Sequence, residues 1–258
     1  MRDMGEVILR EKEWCEDMIS KLSLGASPSS TLMRLARYYH SQGKNKKEVV
    51  RALEEFLLRC DPRVSLEMWR GYLEFCASRA SRRAMIDVDA ISVSKNEMET
   101  IATLDGLMRQ RLMFVILCLA KYGNAINASN NCWVNTSRQE IFATANISMA
   151  SERQMLLIND LKEAGMIQFS KKIDNVNMRA AIVSDGEPEL HITDFRNLGI
   201  QYLRYTGVDC CECSNCGIVV RRHSNRQVYC RDCAAEISQQ QVLLSSRYSG
   251  FDFAKRYI

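Results

Sequence analysis

The chain has 258 residues, 47% hydrophobic and 26% charged, which suits two or three small domains with modest cores. Its formal charge is +4, so net charge is a weak argument for a nucleic-acid partner. Three prolines and twelve glycines speak against long disordered linkers, and the longest apolar stretch, Leu112 to Ala120, is too short to span a bilayer.

Residues 1–92 read as a compact helical domain. Acids and bases mix within its first dozen residues, unlike a secretory signal peptide. Leu32, Leu35, Ala36 and Tyr39 recur at helical spacing, and Gly43 ends that run. Asn45 and Glu48 have the spacing of a capping box before Val49, Leu53, Phe56 and Leu57. A third helix carries Leu66, Trp69, Tyr72, Leu73 and Cys76 and runs into Arg79, Arg82 and Arg83. Those arginines read as a solvated helix end, with a phosphate contact as the alternative.

The next expected domain covers 93–205. Ser94 and Glu97 offer a second capping box for a helix over 95–109, and Gly106 separates it from an apolar helix near 110–123. A polar, asparagine-rich loop follows. Thr136 and Gln139 are expected to cap a short helix with Ile141, Phe142 and Ala145 on its inner face. Asn146 suits a left-handed turn with Ile147 packed beneath it. Ser148 or Ser151 starts a further helix, with Leu157, Ile158, Leu161 and Ala164 inward and Gly165 as its stop. Met166, Ile167 and Phe169 begin an extended segment, Asp174-Asn175 supplies a turn, and Met178, Ala180 and Ile182 alternate on the return.

The stretch QEIFATANISMASERQMLLINDLKEAGMIQF, in that order of helix, turn, helix and hairpin, resembles the winged helix-turn-helix family over residues 110–183. The resemblance implies that the second helix enters the DNA major groove while the wing touches backbone or minor groove. Its groove-facing positions fall on Ser151, Glu152, Arg153, Met155 and Asn159. Lys171 and Lys172 fall on the wing, with Arg179 on its return. Arg153 suits guanine, and Asn159 suits adenine. Against this, residues 151–164 hold Glu152, Asp160 and Glu163 but only Arg153 and Lys162, and Leu156 is a candidate exposed leucine. A protein-binding role is the alternative for this helix.

Residues 191–195 read as an ordered linker, with Thr193 as cap of a helix over Leu198, Ile200, Tyr202 and Leu203 that Gly199 interrupts. His191 has no second ligand near it in sequence and reads as packed or hydrogen-bonded.

Residues 206–258 form the last expected unit. Six of the eleven cysteines crowd into CCECSNCGIVVRRHSNRQVYCRDCAAEI, and the other five are scattered, which fits free thiols plus one metal site in a reducing cytoplasm better than a disulfide scaffold. Cys213 with Cys216 and Cys230 with Cys233 are two Cys-x-x-Cys pairs that complete a tetrahedron around one structural zinc. Cys210 with Cys213 has the same spacing and stays open as an alternative, and four thiolates also suit iron. Ile218 to Val220 and Gln227 to Tyr229 are expected to form a hairpin, and Ala234 to Leu244 a helix. The arrangement resembles a treble-clef or short zinc-ribbon finger. Its loop carries Arg221, Arg222 and Arg226, candidates for phosphate contacts or simply a solvated loop. The tail adds Tyr248, Phe251, Phe253, Tyr257 and Ile258.

The expected fold class is therefore mainly α: a helical domain, a winged helix with a β-hairpin wing, and a small zinc finger. No phosphate-binding glycine loop, zincin motif or nucleophile elbow occurs, so no enzyme is expected. The leading expectation is a double-stranded DNA-binding protein. The layout also resembles helix-turn-helix proteins of bacterial phages and mobile elements, which implies transcription regulation or DNA replication. The competing expectation is an adaptor or inhibitor that binds a host or phage protein. Monomer and homodimer are both open.

Overall fold

A computed structural model describes residues 7–170 and 177–254, with side chains up to 242. Ten α-helices and three small sheets occur among these residues. No helix among them is long and apolar enough to cross a membrane.

The first four helices are α1 (Glu11–Lys21), α2 (Pro28–Ser41), α3 (Lys46–Cys60) and α4 (Leu66–Arg79). They close over a core that includes Leu32, Leu35, Leu53, Phe56, Leu57 and Leu73. The expected capping box forms at α3, where Asn45 accepts from the Lys47 and Glu48 amides and Glu48 accepts from the Asn45 amide. The helix α1 was not anticipated. Its inward face includes Glu11, fully buried, which forms ion pairs with Arg34 and Arg37 and accepts from the Ile86 amide at 3.1 Å.

A second core gathers β1 (Ile91–Ser94), α5 (Lys95–Ala102), α6 (Leu107–Ile126), β2 (Trp133–Val134), α7 (Arg138–Thr144), α8 (Ser151–Glu163), β3 (Ile167–Phe169), β4 (Met178–Ala180), β5 (Pro188–Ile192) and α9 (Leu198–Tyr205). The helix α6 runs through its centre, with every residue from Leu112 to Ala120 buried. Leu9 and Ile91, both before residue 93, also pack in this core.

Two sheets were only partly foreseen. The strands β1 and β5 pair antiparallel, Ile91 opposite Ile192, and hold the two ends of the unit together. The strand β2, in the stretch read as a loop, pairs with β4 to give a sheet of order β2-β4-β3. At α5 the box of Ser94 and Glu97 forms as expected. At α7 the box is Ser137 with Glu140, one residue later than Thr136 and Gln139. A carboxylate at the third helical position is the stronger acceptor for the cap amide. Asn146 takes the left-handed turn (φ 54°) and Ile147 is buried beneath it. Ala164 is exposed, because α8 ends at Glu163 and the chain turns outward at Gly165.

The cap of α9 is Asn197, itself left-handed (φ 51°), and not Thr193. Gly199 does not interrupt α9 but permits its close approach to α7. A Cβ there would stand 2.1 Å from the Ala145 carbonyl oxygen, a backbone atom with little room to yield. Gly199→Ala is expected to cost about 3 kcal/mol through forced separation of α9 from α7, the upper end of overpacking penalties. Thermal unfolding checks it, and an unchanged midpoint would refute the tight packing.

The last unit comprises β6 (Cys210–Glu212), β7 (Val219–Arg221) and α10 (Arg231–Ala254). The partner of β7 is β6, with Cys211 opposite Val220, and residues 227–229 form no strand. The hairpin therefore folds around the first cysteine pair, where Gly217 supplies a left-handed turn (φ 73°). The Val228 carbonyl instead accepts from the Ser214 amide at 2.9 Å.

Candidate metal centre and nucleic-acid interface

Local backbone chemistry brings the four sulfurs together. The Cys213 amide donates to the Ile218 carbonyl at 2.9 Å, and the Gly217 amide donates to the Cys213 carbonyl at 2.8 Å. This tight loop turns Cys213 and Cys216 to one side. Cys230 immediately precedes α10, and Cys233 lies in its first turn. The Ala234 amide donates to the Cys230 carbonyl at 3.0 Å, which fixes the second pair.

The Sγ atoms of Cys213, Cys216, Cys230 and Cys233 all lie within 4.8 Å of one another. Cys216 Sγ and Cys230 Sγ are 3.8 Å apart. A tetrahedron with metal–sulfur bonds of roughly 2.3 Å has sulfur–sulfur edges of about 3.8 Å. A disulfide needs about 2.05 Å, and all eleven cysteines are free. The four-cysteine cluster is compatible with a structural metal site. Four thiolates leave no open coordination position for a reacting water.

The electrostatics favour a cation. Burial alone would raise the Cys213 thiol, but the amides of Cys230, Cys216 and Asn215 outweigh it and bring the pKa down to about 6. At Cys233 donation from Asn215 favours the thiolate, yet the neighbouring Cys230 thiol, burial and the other two sulfurs push it up to about 12. One negative charge is thus easily held among four crowded sulfurs and further ones are resisted, until a bound ion supplies compensating charge.

Cys210 and Cys211 stand apart from this cluster. They lie on β6, Cys210 against Val219, Ile200 and Leu203 of a small apolar patch. Of the scattered thiols, burial pushes Cys15 up to about 12 and Cys76 up to about 11, so both are neutral core residues.

No family model, curated protein or solved structure matches this chain. The site is therefore read from its own chemistry.

Ser151, Arg153 and Asn159 are all exposed on α8. Ser151 Oγ accepts from Arg138 Nη2 at 2.7 Å, so a residue of α7 that the sequence did not single out joins this surface. Arg153 has no hydrogen bond or ion pair among the described residues. Asp160 is bound by Arg109, Nη2 to Oδ2 at 2.6 Å, which removes one of the three acids counted against α8. Leu156 is 62% exposed. Arg179, on the exposed face of β4, donates to the Asn131 carbonyl at 3.0 Å. Lys171, Lys172 and the Asp174-Asn175 turn lie outside the described residues. So do the tail side chains of Tyr248, Phe251 and Phe253, and residues Tyr257 and Ile258.

Arg221, Arg222 and Arg226 are exposed on β7 and the loop after it. Arg222 approaches Asp209 at 3.7 Å, whereas Arg226 has no ion pair among the described residues. Several contacts fasten the finger to the body, among them the ion pair of Arg204 on α9 with Glu212 on β6 at 2.5 Å. Arg196 grips Asp194 (Nη2 to Oδ2, 2.8 Å) and donates to the Cys216 carbonyl at 2.8 Å. Asn197 accepts from the Asn146 amide group at 2.9 Å and donates to the Val219 carbonyl at 3.1 Å. The turn before α8 is thereby joined to the strand that leaves the cysteine loop. His191 meets Ser92 Oγ at 3.1 Å and is not one of the clustered ligands.

Proposed function

We propose that this chain is a non-enzymatic protein that binds double-stranded DNA through a winged helix and a zinc-stabilised finger. The observation that carries the reading is topological. Helix α6, strand β2, helices α7 and α8, and strands β3 and β4 follow one another, and the sheet order is β2-β4-β3. That arrangement turns the outer face of α8, with Arg153 and Asn159, to solvent. A helix so placed fits the major groove, where a guanidinium pairs with guanine and a carboxamide with adenine. The finger contributes Arg221, Arg222 and Arg226, and the wing Lys171 and Lys172, as phosphate contacts. Zinc is the metal of this reading, because four thiolates between a hairpin and a helix suit a closed tetrahedral site. A role in transcription regulation or DNA replication follows from such binding.

Exposed Leu156 and Met155 on the same helix favour a second reading, an adaptor whose α8 docks on a host or phage protein. A salt titration on duplex DNA separates the two. DNA binding should weaken steeply as salt rises, with a slope set by the number of phosphates neutralised. Arg153→Ala is expected to cost about 1–3 kcal/mol on a selected site and to relax preference at one base pair. Selection of preferred sequences for both proteins reads this directly. Identical selected sites would remove Arg153 from base readout. Salt-independent, weak duplex association alongside complex formation that Leu156→Glu abolishes would support the adaptor.

A further inference from the structure

We propose that the cleft between α1, α2 and the segment 80–87 binds a small phosphate monoester, with Arg37, Arg83 and Lys12 as donors to its phosphate. The site goes beyond the DNA-binding reading and does not depend on it.

The cleft has a volume of about 980 Å³ and draws its lining from all three segments, including Lys12, Arg37, Arg83, Met85 and Ile86. That is room for a molecule of nucleotide size. Hydrogen bonds set its walls. The Glu11 amide donates to the Ile86 carbonyl at 2.9 Å, and Ser41 Oγ meets Met85 Sδ at 3.3 Å, so the segment is held against both helices. Glu11 Oε2 accepts from Arg37 Nε at 3.2 Å and from the Ile86 amide at 3.1 Å. One oxygen thus holds Arg37 beside the chain that follows Arg83.

Donors on this wall outnumber acceptors. The Arg37 side chain is only 13% exposed. Its Nε and Nη2 are spent on Glu11, and its Nη1 has no partner among the described residues. Glu11 also pairs with Arg34, so one buried carboxylate answers two guanidinium groups. Lys12 and Arg83, both exposed, form no hydrogen bond or ion pair among the described residues. Three acids share the lining. Glu13 is held by Arg10 at 3.1 Å, Asp87 lies opposite Arg10 in a backbone bridge, and Glu16 accepts from the Tyr38 hydroxyl at 3.3 Å. Glu13 and Asp87 therefore gather around Arg10, whereas Arg37 Nη1, Arg83 and Lys12 are left to a ligand. A phosphate monoester brings a charge of about −1.5 to −2 and three acceptor oxygens, one for each of these donors. A carboxylate brings fewer of both. Met85 and Ile86, half-buried, offer an apolar wall to the organic remainder. Of the three arginines that end α4 in the sequence, Arg79 lies over the Phe75 ring at 4.5 Å, and Arg83 alone lines the cleft.

The test uses the full, metal-loaded chain with inorganic phosphate, AMP and ribose 5-phosphate. Thermal unfolding is followed in each, against sodium chloride of matched ionic strength. Phosphate should raise the midpoint saturably beyond chloride, and at least one ester should do so at lower concentration. Arg83→Gln should raise the half-saturating concentration roughly tenfold or more, the worth of a charge-assisted hydrogen bond, and leave the ligand-free midpoint unchanged. Lys12→Gln should act in the same direction. Arg82→Gln, outside the cleft, should change neither quantity. Because Arg37→Gln would also strip Glu11 of a partner, the exposed Arg83 and Lys12 carry the test. A phosphate response no larger than that of chloride, or one that Arg83→Gln leaves undiminished, overturns the site. If neither ester surpasses inorganic phosphate, the ester is overturned in favour of the free ion.

Discussion

Cys230→Ser is expected to reduce bound metal from one equivalent per chain to none and to unfold the segment from about residue 206 to 230. The reason lies in how little else holds that segment. Among the described residues its sulfur cluster is supplemented by Ile218 and Val220, and the patch beside it by Val219 on Ile200 and Leu203, with Val208 and Cys210 against them. Structural zinc in small fingers contributes about 10–16 kcal/mol at neutral pH, far more than a few half-buried aliphatic side chains provide. Serine offers no thiolate, and the three remaining sulfurs leave the ion exposed to water. Elemental analysis of the purified variant reads the first half of the prediction, and limited proteolysis within 222–229 reads the second. The helices α1 to α4 and the core around α6 should resist in the same digest, because their apolar clusters are separate from the finger. Acid should reproduce the effect in the wild type, since protons compete for the same sulfurs and metal is lost as pH falls. A variant that retains a full equivalent of metal would disprove the four-sulfur site.

The loss should spread beyond the finger in one direction. Asn197 joins the Val219 carbonyl to the Asn146 side chain, and Asn146 forms the left-handed turn that aims α8. Freeing the hairpin removes one side of that link, while the core under α8 through Ile158 and Leu161 stays intact. On the DNA-binding reading, metal removal therefore weakens orientation of Arg153 without dissolving the helix that carries it.

How far the sequence could reveal this arrangement depended on the range of each interaction. The boxes at Asn45 with Glu48 and Ser94 with Glu97 are contacts over three residues, and their side chains announce them. At α7 two overlapping patterns competed, and Ser137 with Glu140 prevailed through its carboxylate. The cysteine cluster was legible because two Cys-x-x-Cys pairs are complete ligand sets in themselves; of the two overlapping pairs, Cys213 with Cys216 joins the cluster, closed by the turn at Gly217, and Cys210 does not. The pairing of β1 with β5 joins residues almost a hundred positions apart, and neither strand is long enough to show a period. The helix α1 escaped notice because its inward face includes Glu11, an acid whose burial makes sense only beside Arg34 and Arg37 from the next helix. The count of acids on α8 stands, but a count within one helix could not show that Arg109 answers Asp160 from a distant part of the chain.

Glu97 is where the largest loss of stability in the second core is expected. Its carboxylate is fully buried and joins three segments. One oxygen accepts from the Ser94 amide at 2.7 Å and from Lys121 Nζ at 2.6 Å, and the other accepts from the Ser184 amide at 3.0 Å. Lys121, only 17% exposed, also donates to the Ser92 carbonyl at 2.7 Å. Glu97→Gln preserves the volume but points a donor at either Lys121 and the Ser94 amide or the Ser184 amide, whichever way the amide turns. Breaking one partner of a buried ion pair typically costs about 3–5 kcal/mol, because the other charge is left without compensation. Urea unfolding followed at Trp133, in a background with Trp14→Phe and Trp69→Phe, should show that loss as an earlier midpoint. Combining Glu97→Gln with Lys121→Met should recover part of it, since the stranded ammonium is gone while two backbone amides still lack their carboxylate. Additive losses in the double variant would mean that Glu97 acts through the amides of Ser94 and Ser184 alone, and that Lys121 is a bystander to the fold.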